Sequence, residues 1–327
     1  MGDKINFVQA INRAMFDAME VDADVILLGE DVADEEGGGV VKVTHGLSAA
    51  YGCDRVRSTP IAEEAIMGAA IGASLVGKRP IAEIMLMNFM TVAMDQFVNH
   101  AAKLRFMSGG QTSVPLTVRT MTGAGGGAGG QHTDMLEAWF AHVAGIKVVV
   151  PSTPADAYGL LRGCIEDDDP CLFVENLPTY WTMGEPPAAY EALPLGKACV
   201  EVEGTDLTLI SYGRSMMECR EAVAALSAEG VSVELIDLRT IAPFDLDTVL
   251  TSVAKTGRAV IVHEAVTPFG VGAELSARIT EELFSGMRAP VARVGSSFNA
   301  VPYAVALETN HLPTTQRIVA ASQNTLH

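Results

Sequence analysis

With 327 residues, of which 49% are apolar and 19% charged, the chain is long enough for two globular domains and too apolar for a disordered protein. Its net charge of -18 argues against nucleic acids and anionic membranes as partners. The five cysteines, at positions 53, 164, 171, 199 and 219, form no Cys-x-x-Cys pair and are odd in number, which argues against a disulfide framework or a zinc site.

The amino-terminal sequence lacks the basic-then-apolar pattern of a secretory signal. No run of about 18 apolar residues is present to span a membrane. The myristoylation pattern also fails, because Asn6 stands where Ser or Thr is required. We therefore expect a cytoplasmic protein with no membrane partner.

Strand-like and helix-like runs alternate along the first half of the chain. The predicted strands cover residues 25–28, 80–84, 115–118 and 146–150, and the predicted helices cover 61–76, 90–107 and 154–165. Strands that alternate with helices indicate βαβ units and a mostly parallel sheet. The fold class predicted for this half is therefore α/β.

The alternation loosens from Glu185 to Gly196, where prolines and alanines cluster. A second alternating series follows, with predicted strands at 207–210, 231–236, 259–262 and 291–294 and predicted helices at 216–228, 245–253 and 272–283. We therefore predict an α/β domain at 1–185, a linker at 186–204 and a second α/β domain at 205–327.

The glycine loop, Gly123–Gly130, formally contains the Gly-x-Gly-x-x-Gly pattern of dinucleotide sites. Such a site also needs a tight turn after the strand and an acidic residue at the end of the next strand. Here the turn is too loose, and the next strand ends in Val150-Pro151-Ser152-Thr153, without a carboxylate. We interpret the glycine loop as flexible backbone near a site, able to approach a ligand or a neighbouring subunit closely.

One carboxylate is predicted to begin a tightly packed helix of small residues. It is Glu63, at the end of Thr59-Pro60-Ile61-Ala62-Glu63. A lone carboxyl in apolar surroundings is costly unless it is paired, or protonated and hydrogen-bonded, and the protonated state suits a partner such as a ring nitrogen. Taken alone, Glu63 is typical of an ordinary carboxylate at a helix N-terminus. Only the other motifs of the chain, considered together with it, favour a catalytic role.

Several motifs occur in order along nearly the whole chain. They include Leu28-Gly29-Glu30-Asp31-Val32, Thr59-Pro60-Ile61-Ala62-Glu63, Arg79-Pro80-Ile81-Ala82-Glu83-Ile84, Gln131-His132, Pro151-Ser152-Thr153-Pro154-Ala155-Asp156-Ala157, Glu234-Leu235-Ile236-Asp237-Leu238-Arg239-Thr240 and Lys255-Thr256-Gly257-Arg258. Together they resemble the β subunits of the thiamine diphosphate-dependent 2-oxo acid dehydrogenases. The resemblance implies a pyrimidine-binding domain followed by a transketolase C-terminal-type domain, both α/β with mostly parallel sheets.

The resemblance also implies roles for individual side chains. Glu63 matches the carboxyl that hydrogen-bonds a pyrimidine nitrogen of thiamine diphosphate, and Phe89 and Ile61 match positions at the face and edge of that ring. His132 matches a histidine near the thiazolium and the bound acyl group, where the resemblance implies either a hydrogen bond to the intermediate or assistance in acyl transfer to a lipoyl group. Glu30 matches an acidic position that links two active sites, although a solvated loop carboxylate is an equally good interpretation.

Some members of the resembled family bind potassium, mostly through backbone oxygens. The matching positions are Leu116, Cys164, Asp167 and Asp169. The run Asp167-Asp168-Asp169 is also typical of an ordinary acidic turn, and this second interpretation is slightly favoured.

The family's diphosphate and magnesium motif, Gly-Asp-Gly with a later Asn, is missing from the chain. The resemblance therefore implies a separate α subunit that supplies Mg²⁺ ligands in an α2β2 heterotetramer, and a lipoyl-bearing acyltransferase core as acceptor. The implied reaction is decarboxylation of a 2-oxo acid, or cleavage of acetoin, with acyl transfer to the lipoyl carrier. Two alternatives stay open, a split-subunit acyloin or ketose transferase without a lipoyl acceptor, and a non-catalytic scaffold subunit.

The sequence departs from the family pattern directly after the histidine. His132 is followed by Thr133 and Asp134, where relatives usually have Ser and Gln. An added carboxylate near the site changes the surroundings of His132 and of the substrate. This departure makes the identity of the 2-oxo acid or acyloin uncertain. It affects the predicted class of reaction less.

Overall fold

The computed structural model describes residues 4–327. Its strands are β1 Ile5–Asn6, β2 Val25–Gly29, β3 Val56–Ser58, β4 Arg79–Leu86, β5 Thr117–Thr122, β6 Lys147–Val149, β7 Cys171–Asn176, β8 Met183–Gly184, β9 Cys199–Val202, β10 Leu207–Ser211, β11 Val233–Asp237, β12 Thr240–Ala242, β13 Ala259–Val266 and β14 Ala292–Ser296. Its α-helices are α1 Phe7–Val21, α2 Leu47–Tyr51, α3 Glu63–Leu75, α4 Ala102–Met107, α5 Gly130–Thr133, α6 Glu137–Ala141, α7 Pro154–Glu166, α8 Ser215–Ala228, α9 Leu246–Thr256, α10 Val271–Leu283, α11 Val305–His311 and α12 Thr315–Leu326. The predicted α/β class is confirmed.

The chain divides into two compact units. Among residues 4–327, the first unit contains the residues up to Thr122 together with Trp139–Leu195, and the second contains Gly123–Ala138 together with Gly196–His327. The segment Gly123–Ala138, placed in the first domain from sequence, thus packs within the second unit. The division into functional domains at 1–185, 186–204 and 205–327 stays a prediction.

The first unit is built on a parallel sheet. Its strands lie in the order β6-β7-β5-β4-β2-β3, and each neighbouring pair is parallel. Strand β2 is buried along its whole length, as expected for a parallel strand covered on both faces. Helices α1 and α7 pack together, and their apolar residues join β2, β3, β4, β6 and β7 in one core.

Two predicted elements of the first unit were placed wrongly. The helix expected at 90–107 is a 3₁₀ turn at Met87–Thr91, a π-helical turn at Asp95–Ala101 and then α4. The strand expected at 115–118 begins two residues later, at Thr117, and extends to Thr122. Irregular helical turns of this kind often lie at functional sites.

The second unit is built on a sheet in the order β14-β13-β10-β11-β9, parallel except for the antiparallel edge strand β9. Alternate residues of β10 face opposite sides. Leu207 and Leu209 join a core that includes residues of α8 and α12. Between them, the Thr208 hydroxyl contacts hydroxyls of Ser252 and Thr256 in α9, each at 2.8 Å. Helices therefore cover both faces of this sheet.

Within residues 4–327, no helix has both the length and the apolar character that crossing a bilayer requires.

Candidate active site

Strands β2 and β3 of the first unit end side by side, next to Glu83 of β4, which continues for three more residues to Leu86. β2 ends at Gly29, which pairs in register with Ser58 of β3 and Glu83 of β4. The Thr59 N–H continues the pairing by donating to the Gly29 carbonyl at 2.9 Å. Parallel α/β sheets bind ligands in the crevice beyond the carboxyl ends of their strands. The segments that follow β2, β3 and β4 carry Glu30, Glu63 and Phe89, respectively.

Glu63 is the first residue of α3, as predicted. Its side chain is half-buried, and Ile61, two residues before it, is 82% exposed. The hydroxyl of Thr59 is buried and has no hydrogen-bond partner within residues 4–327. An apolar side chain open to a ligand, a partly exposed carboxyl and an unsatisfied hydroxyl therefore occur within one short segment. This combination suits a ligand with an apolar ring and polar edge atoms.

Phe89 lies in the 3₁₀ turn that follows β4. Its ring is half-buried, whereas two methionines close to it in the same turn, Met87 and Met90, are fully buried. The buried methionines fix the turn to the body of the unit, while the Phe89 ring stays partly exposed. The local structure thus fits an aromatic side chain that packs on a planar ligand.

Glu30 follows directly after β2 and is buried. Burial raises the pKa of Glu30 above its ordinary value, and the nearby charges of Glu63, Asp31 and Glu83 raise it further. Glu30 and Glu63 therefore belong to one electrostatic neighbourhood, in which the charge of Glu63 disfavours ionisation of Glu30. A carboxyl whose pKa is raised in this way suits proton-transfer chemistry.

A fully buried arginine lies behind this edge of the sheet. Arg119 of β5 contacts Glu83 of β4 at 2.6 Å and Glu175 of β7 at 2.7 Å, and Tyr180 donates to Glu175 at 2.6 Å. Burial alone lowers the pKa of Arg119, but the carboxylates of Glu175 and Glu83 raise it above its ordinary value. This network was not predicted from the sequence, although charged residues inside otherwise apolar strands were a visible signal.

The glycine loop lies in the second unit, where three of its backbone N–H groups donate to carboxylates. Glu264 accepts from the Ala124 N–H at 2.7 Å, and Glu308 accepts from the N–H groups of Gly125 and Gly127 at 2.7 and 3.1 Å. These are the kind of donors with which a glycine loop would hold a phosphate. Here carboxylates of the same chain occupy these three donors.

His132 follows the glycine loop in the short helix α5 and is exposed. The helix is fixed by its own first turn, where the Thr133 hydroxyl donates to the Gly129 carbonyl at 2.9 Å. Thr133, one of the departures from the family pattern, is therefore buried and structural, whereas Asp134 is half-buried. The exposure of the His132 imidazole allows it to meet a substrate or a carrier group.

Comparisons with known proteins agree with this geometry. The family model described as transketolase, pyrimidine binding domain, matches residues 3–180, and the one described as transketolase, C-terminal domain, matches residues 196–318. The chain is 42% identical over 334 residues to the acetoin:2,6-dichlorophenolindophenol oxidoreductase subunit beta of Cupriavidus necator, with 100% of this chain and 98% of that one covered. It is 42% identical over 325 residues to a pyruvate dehydrogenase E1 component subunit beta of Staphylococcus epidermidis, with 99% of each covered.

The chain belongs to the family of thiamine diphosphate-dependent 2-oxo acid dehydrogenase β subunits. A solved structure described as a split gene transketolase, inactive beta4 tetramer, matches with a TM-score of 0.81, 22% identity and 99% of both chains covered. This second likeness is one of fold alone. The transketolase-type fold thus covers 99% of this chain.

The family positions predicted to bind potassium are connected by hydrogen bonds in the first unit. They are Leu116, Cys164, Asp167 and Asp169. The Asp167 carboxylate contacts Lys147 at 2.6 Å, and the Asp169 carboxylate contacts Arg105 at 2.6 Å. No cluster of three or more His, Cys, Asp or Glu side chains suited to a metal occurs in the part of the chain that the structure describes. These ion pairs favour the interpretation of Asp167 and Asp169 as parts of an ordinary acidic turn. Binding of potassium by backbone oxygens at these positions stays a prediction.

Proposed function

We propose that this chain is the β subunit of a thiamine diphosphate-dependent 2-oxo acid dehydrogenase, which decarboxylates a 2-oxo acid or cleaves acetoin and passes the acyl group to a lipoyl carrier. The observation that carries the proposal is the placement of Glu63, Ile61 and Phe89 at the carboxyl edge of β3 and β4. The names of relatives that are 42% identical over nearly the whole chain give the reaction class.

The residues present fit the pyrimidine half of the cofactor. Ile61 and Phe89 offer apolar surface for a ring, and the buried Thr59 hydroxyl still lacks a partner within residues 4–327. When bound, thiamine diphosphate would supply the nucleophilic carbon that the reaction of a 2-oxo acid or acetoin requires. Glu63, at the start of α3 and next to the exposed Ile61 segment, would hold a proton at a ring nitrogen of the pyrimidine.

The remaining predicted roles follow from position. Glu30 stands close enough to Glu63 for their charges to interact, which suits transfer of protons to and from the site. His132 is exposed on α5 and can donate a hydrogen bond to an acyl intermediate or assist its transfer to a lipoyl group.

We further propose that an α subunit completes the site. The chain lacks the Gly-Asp-Gly motif that binds the diphosphate with Mg²⁺ in the family, which supports a second polypeptide as the source of these ligands. A cofactor site shared between two polypeptides favours an α2β2 heterotetramer, which docks on a lipoyl-bearing acyltransferase core. Potassium at the backbone oxygens of the acidic turn and a cytoplasmic location belong to the same proposal.

The test compares two adjacent glutamates of α3 in the chain combined with its α partner. Glu63→Gln removes the proton-holding carboxyl, and we expect turnover of pyruvate or acetoin to fall by about 100-fold or more. Glu64→Gln, at an exposed neighbouring position, is the matched control and should keep normal turnover. Normal turnover of Glu63→Gln would contradict the proposal and favour a scaffold role. Acyl transfer that needs no lipoyl acceptor would favour an acyloin or ketose transferase.

A further inference from the structure

The glycine loop, Gly123–Gly130, is costly to hold in one conformation. Six of its eight residues are glycine, and Gly123, Gly125, Gly127 and Gly129 adopt positive φ angles. Glycine loses more backbone entropy on ordering than any other residue. A single conformation of this loop therefore requires strong contacts from the rest of the second unit.

Glu308 supplies two of these contacts. It lies in the first turn of α11 and is 1% exposed. One carboxylate oxygen accepts from the Gly125 N–H at 2.7 Å, and the other accepts from the Gly127 N–H at 3.1 Å. Bonds between backbone N–H groups and a carboxylate are stronger than bonds between neutral groups, so one side chain fixes the middle of the loop at two points.

Glu264 holds the start of the loop. It lies in β13, is 6% exposed and accepts from the Ala124 N–H at 2.7 Å. The Arg214 guanidinium donates to the carbonyl oxygen of Ala124 at 3.0 Å. The Ala124 methyl packs in a small apolar cluster with Val301 and Leu312. The first residues of the loop are thus bound through backbone and side chain together.

Tyr303 packs against the C-terminal end of the glycine loop. A Cβ atom added at Gly129 would approach the Tyr303 ring to 2.5 Å, and one added at Gly127 would approach the Tyr303 carbonyl to 3.3 Å. The loop therefore lies against Tyr303 with no space for a side chain at Gly129. Helix α5, which carries His132, begins at the next residue, Gly130.

We propose that Glu308 and Glu264 are positioning residues, which hold the glycine loop by its backbone N–H groups and so set the place of His132. The proposal rests on the function proposed above for His132. Both glutamates contact the backbone of the glycine loop. Their effect reaches His132 only through the loop, which distinguishes them from Glu63.

The first experiment measures amide hydrogen exchange of residues 123–133 in the full-length chain. Glu308→Ala removes both acceptors, and we expect exchange in this segment to become at least about tenfold faster, while exchange in β10 stays unchanged. Glu308→Gln keeps one acceptor and replaces the other with a donor, so it should give an intermediate result. Glu274→Gln, exposed on α10, is the control. Unchanged exchange in Glu308→Ala would overturn the proposal.

Glu264 offers a test by conservative rescue. A glutamine at this position still has one oxygen that can accept from the Ala124 N–H, whereas alanine has none. We therefore expect loop exchange close to that of the original protein in Glu264→Gln and faster exchange in Glu264→Ala. Equal acceleration in both variants would show that Glu264 acts through its charge and would overturn its assignment as a backbone acceptor.

The second experiment is a double-mutant cycle with His132 in the chain combined with its α partner. Glu308→Ala should lower kcat by about tenfold in the presence of His132 and have little further effect in His132→Gln, because the two changes act through one group. Additive losses would overturn the link between the loop and His132. If His132→Gln alone retains full activity, the function proposed for His132 fails, and the exchange experiment still decides whether Glu308 and Glu264 hold the loop.

Discussion

Tyr212 donates a hydrogen bond of 2.6 Å to Glu137 inside the second unit, where Glu137 is completely buried and Tyr212 is 2% exposed. The second carboxyl oxygen of Glu137 has no partner within residues 4–327. Burial raises the pKa of Glu137 to about 7, although the Tyr212 hydrogen bond opposes this rise. A carboxyl five residues after His132 therefore changes its protonation state close to neutral pH.

Glu137→Gln should change how the stability of the isolated chain depends on pH. A raised pKa means that the folded state holds the Glu137 proton more tightly than the unfolded state, so stability is lost as pH rises from about 4.5 to about 7. The glutamine amide would keep an acceptor for the Tyr212 hydroxyl and have no charge to bury. We expect a gain of up to about 3 kcal/mol at pH 8 and none at pH 4, measured by urea unfolding.

The control for this measurement is Glu274→Gln, an exposed position on α10. It should leave the pH dependence of unfolding as it is in the original chain. An equal loss of stability between pH 4 and pH 8 in the original chain and in Glu137→Gln would contradict the assignment of the titration to Glu137.

The buried arginine network should contribute strongly to the stability of the first unit. Arg119→Met keeps the apolar stem and removes the charge that faces Glu83 and Glu175. We expect a loss of about 3–5 kcal/mol, because two buried carboxyls lose their counter-charge. Arg278→Met, which breaks only longer surface contacts to Glu281 and Glu282, should cost less than about 1 kcal/mol in the same denaturant titration. Equal losses of unfolding free energy in Arg119→Met and Arg278→Met would show that burial does not increase the contribution of these ion pairs to stability.

Phe89 should act on cofactor binding more than on the chemical step. Phe89→Ala removes a half-buried ring from the turn after β4, and we expect the KM for thiamine diphosphate to rise by about tenfold with a smaller change in kcat. Phe284→Ala, which removes a 77% exposed ring from the second unit, serves as the control. A fall in kcat without a change in KM would argue that Phe89 does not pack on the cofactor.

His132 should matter most for transfer to the lipoyl carrier. In His132→Gln we expect lipoyl acylation to fall by about 100-fold, while reduction of dichlorophenolindophenol, which needs no lipoyl group, falls less. His142→Gln, at an exposed histidine in the first unit, is the matched control. An equal loss in the two assays would place His132 before the transfer step.

The parts of the fold that depend on local pattern were predictable from the sequence. The apolar run that forms β2 and the small-residue helix that begins at Glu63 were placed close to their observed bounds. The breakdown of a long helix into 3₁₀, π and α turns was not predicted, because the apolar spacing at 90–107 does not distinguish these helix types.

Contacts between residues distant in sequence could not be predicted from local sequence patterns. The register that places Arg119 opposite Glu83 is set by pairing of parallel strands, which no local spacing reveals. The same holds for Glu264 and Glu308, which bind the glycine loop from 140 and 183 residues further along the chain. Only their identity as acidic residues was visible, and acidic residues are frequent throughout this chain.

Calorimetric titration of thiamine diphosphate with Mg²⁺ is the decisive measurement for a site divided between two polypeptides. It should be carried out on this chain alone, on its α partner alone and on the combined pair. Because this chain has Glu63, Ile61 and Phe89 for the pyrimidine and no diphosphate motif, we expect stoichiometric binding by the pair only. Tight stoichiometric binding by this chain alone would contradict the divided site.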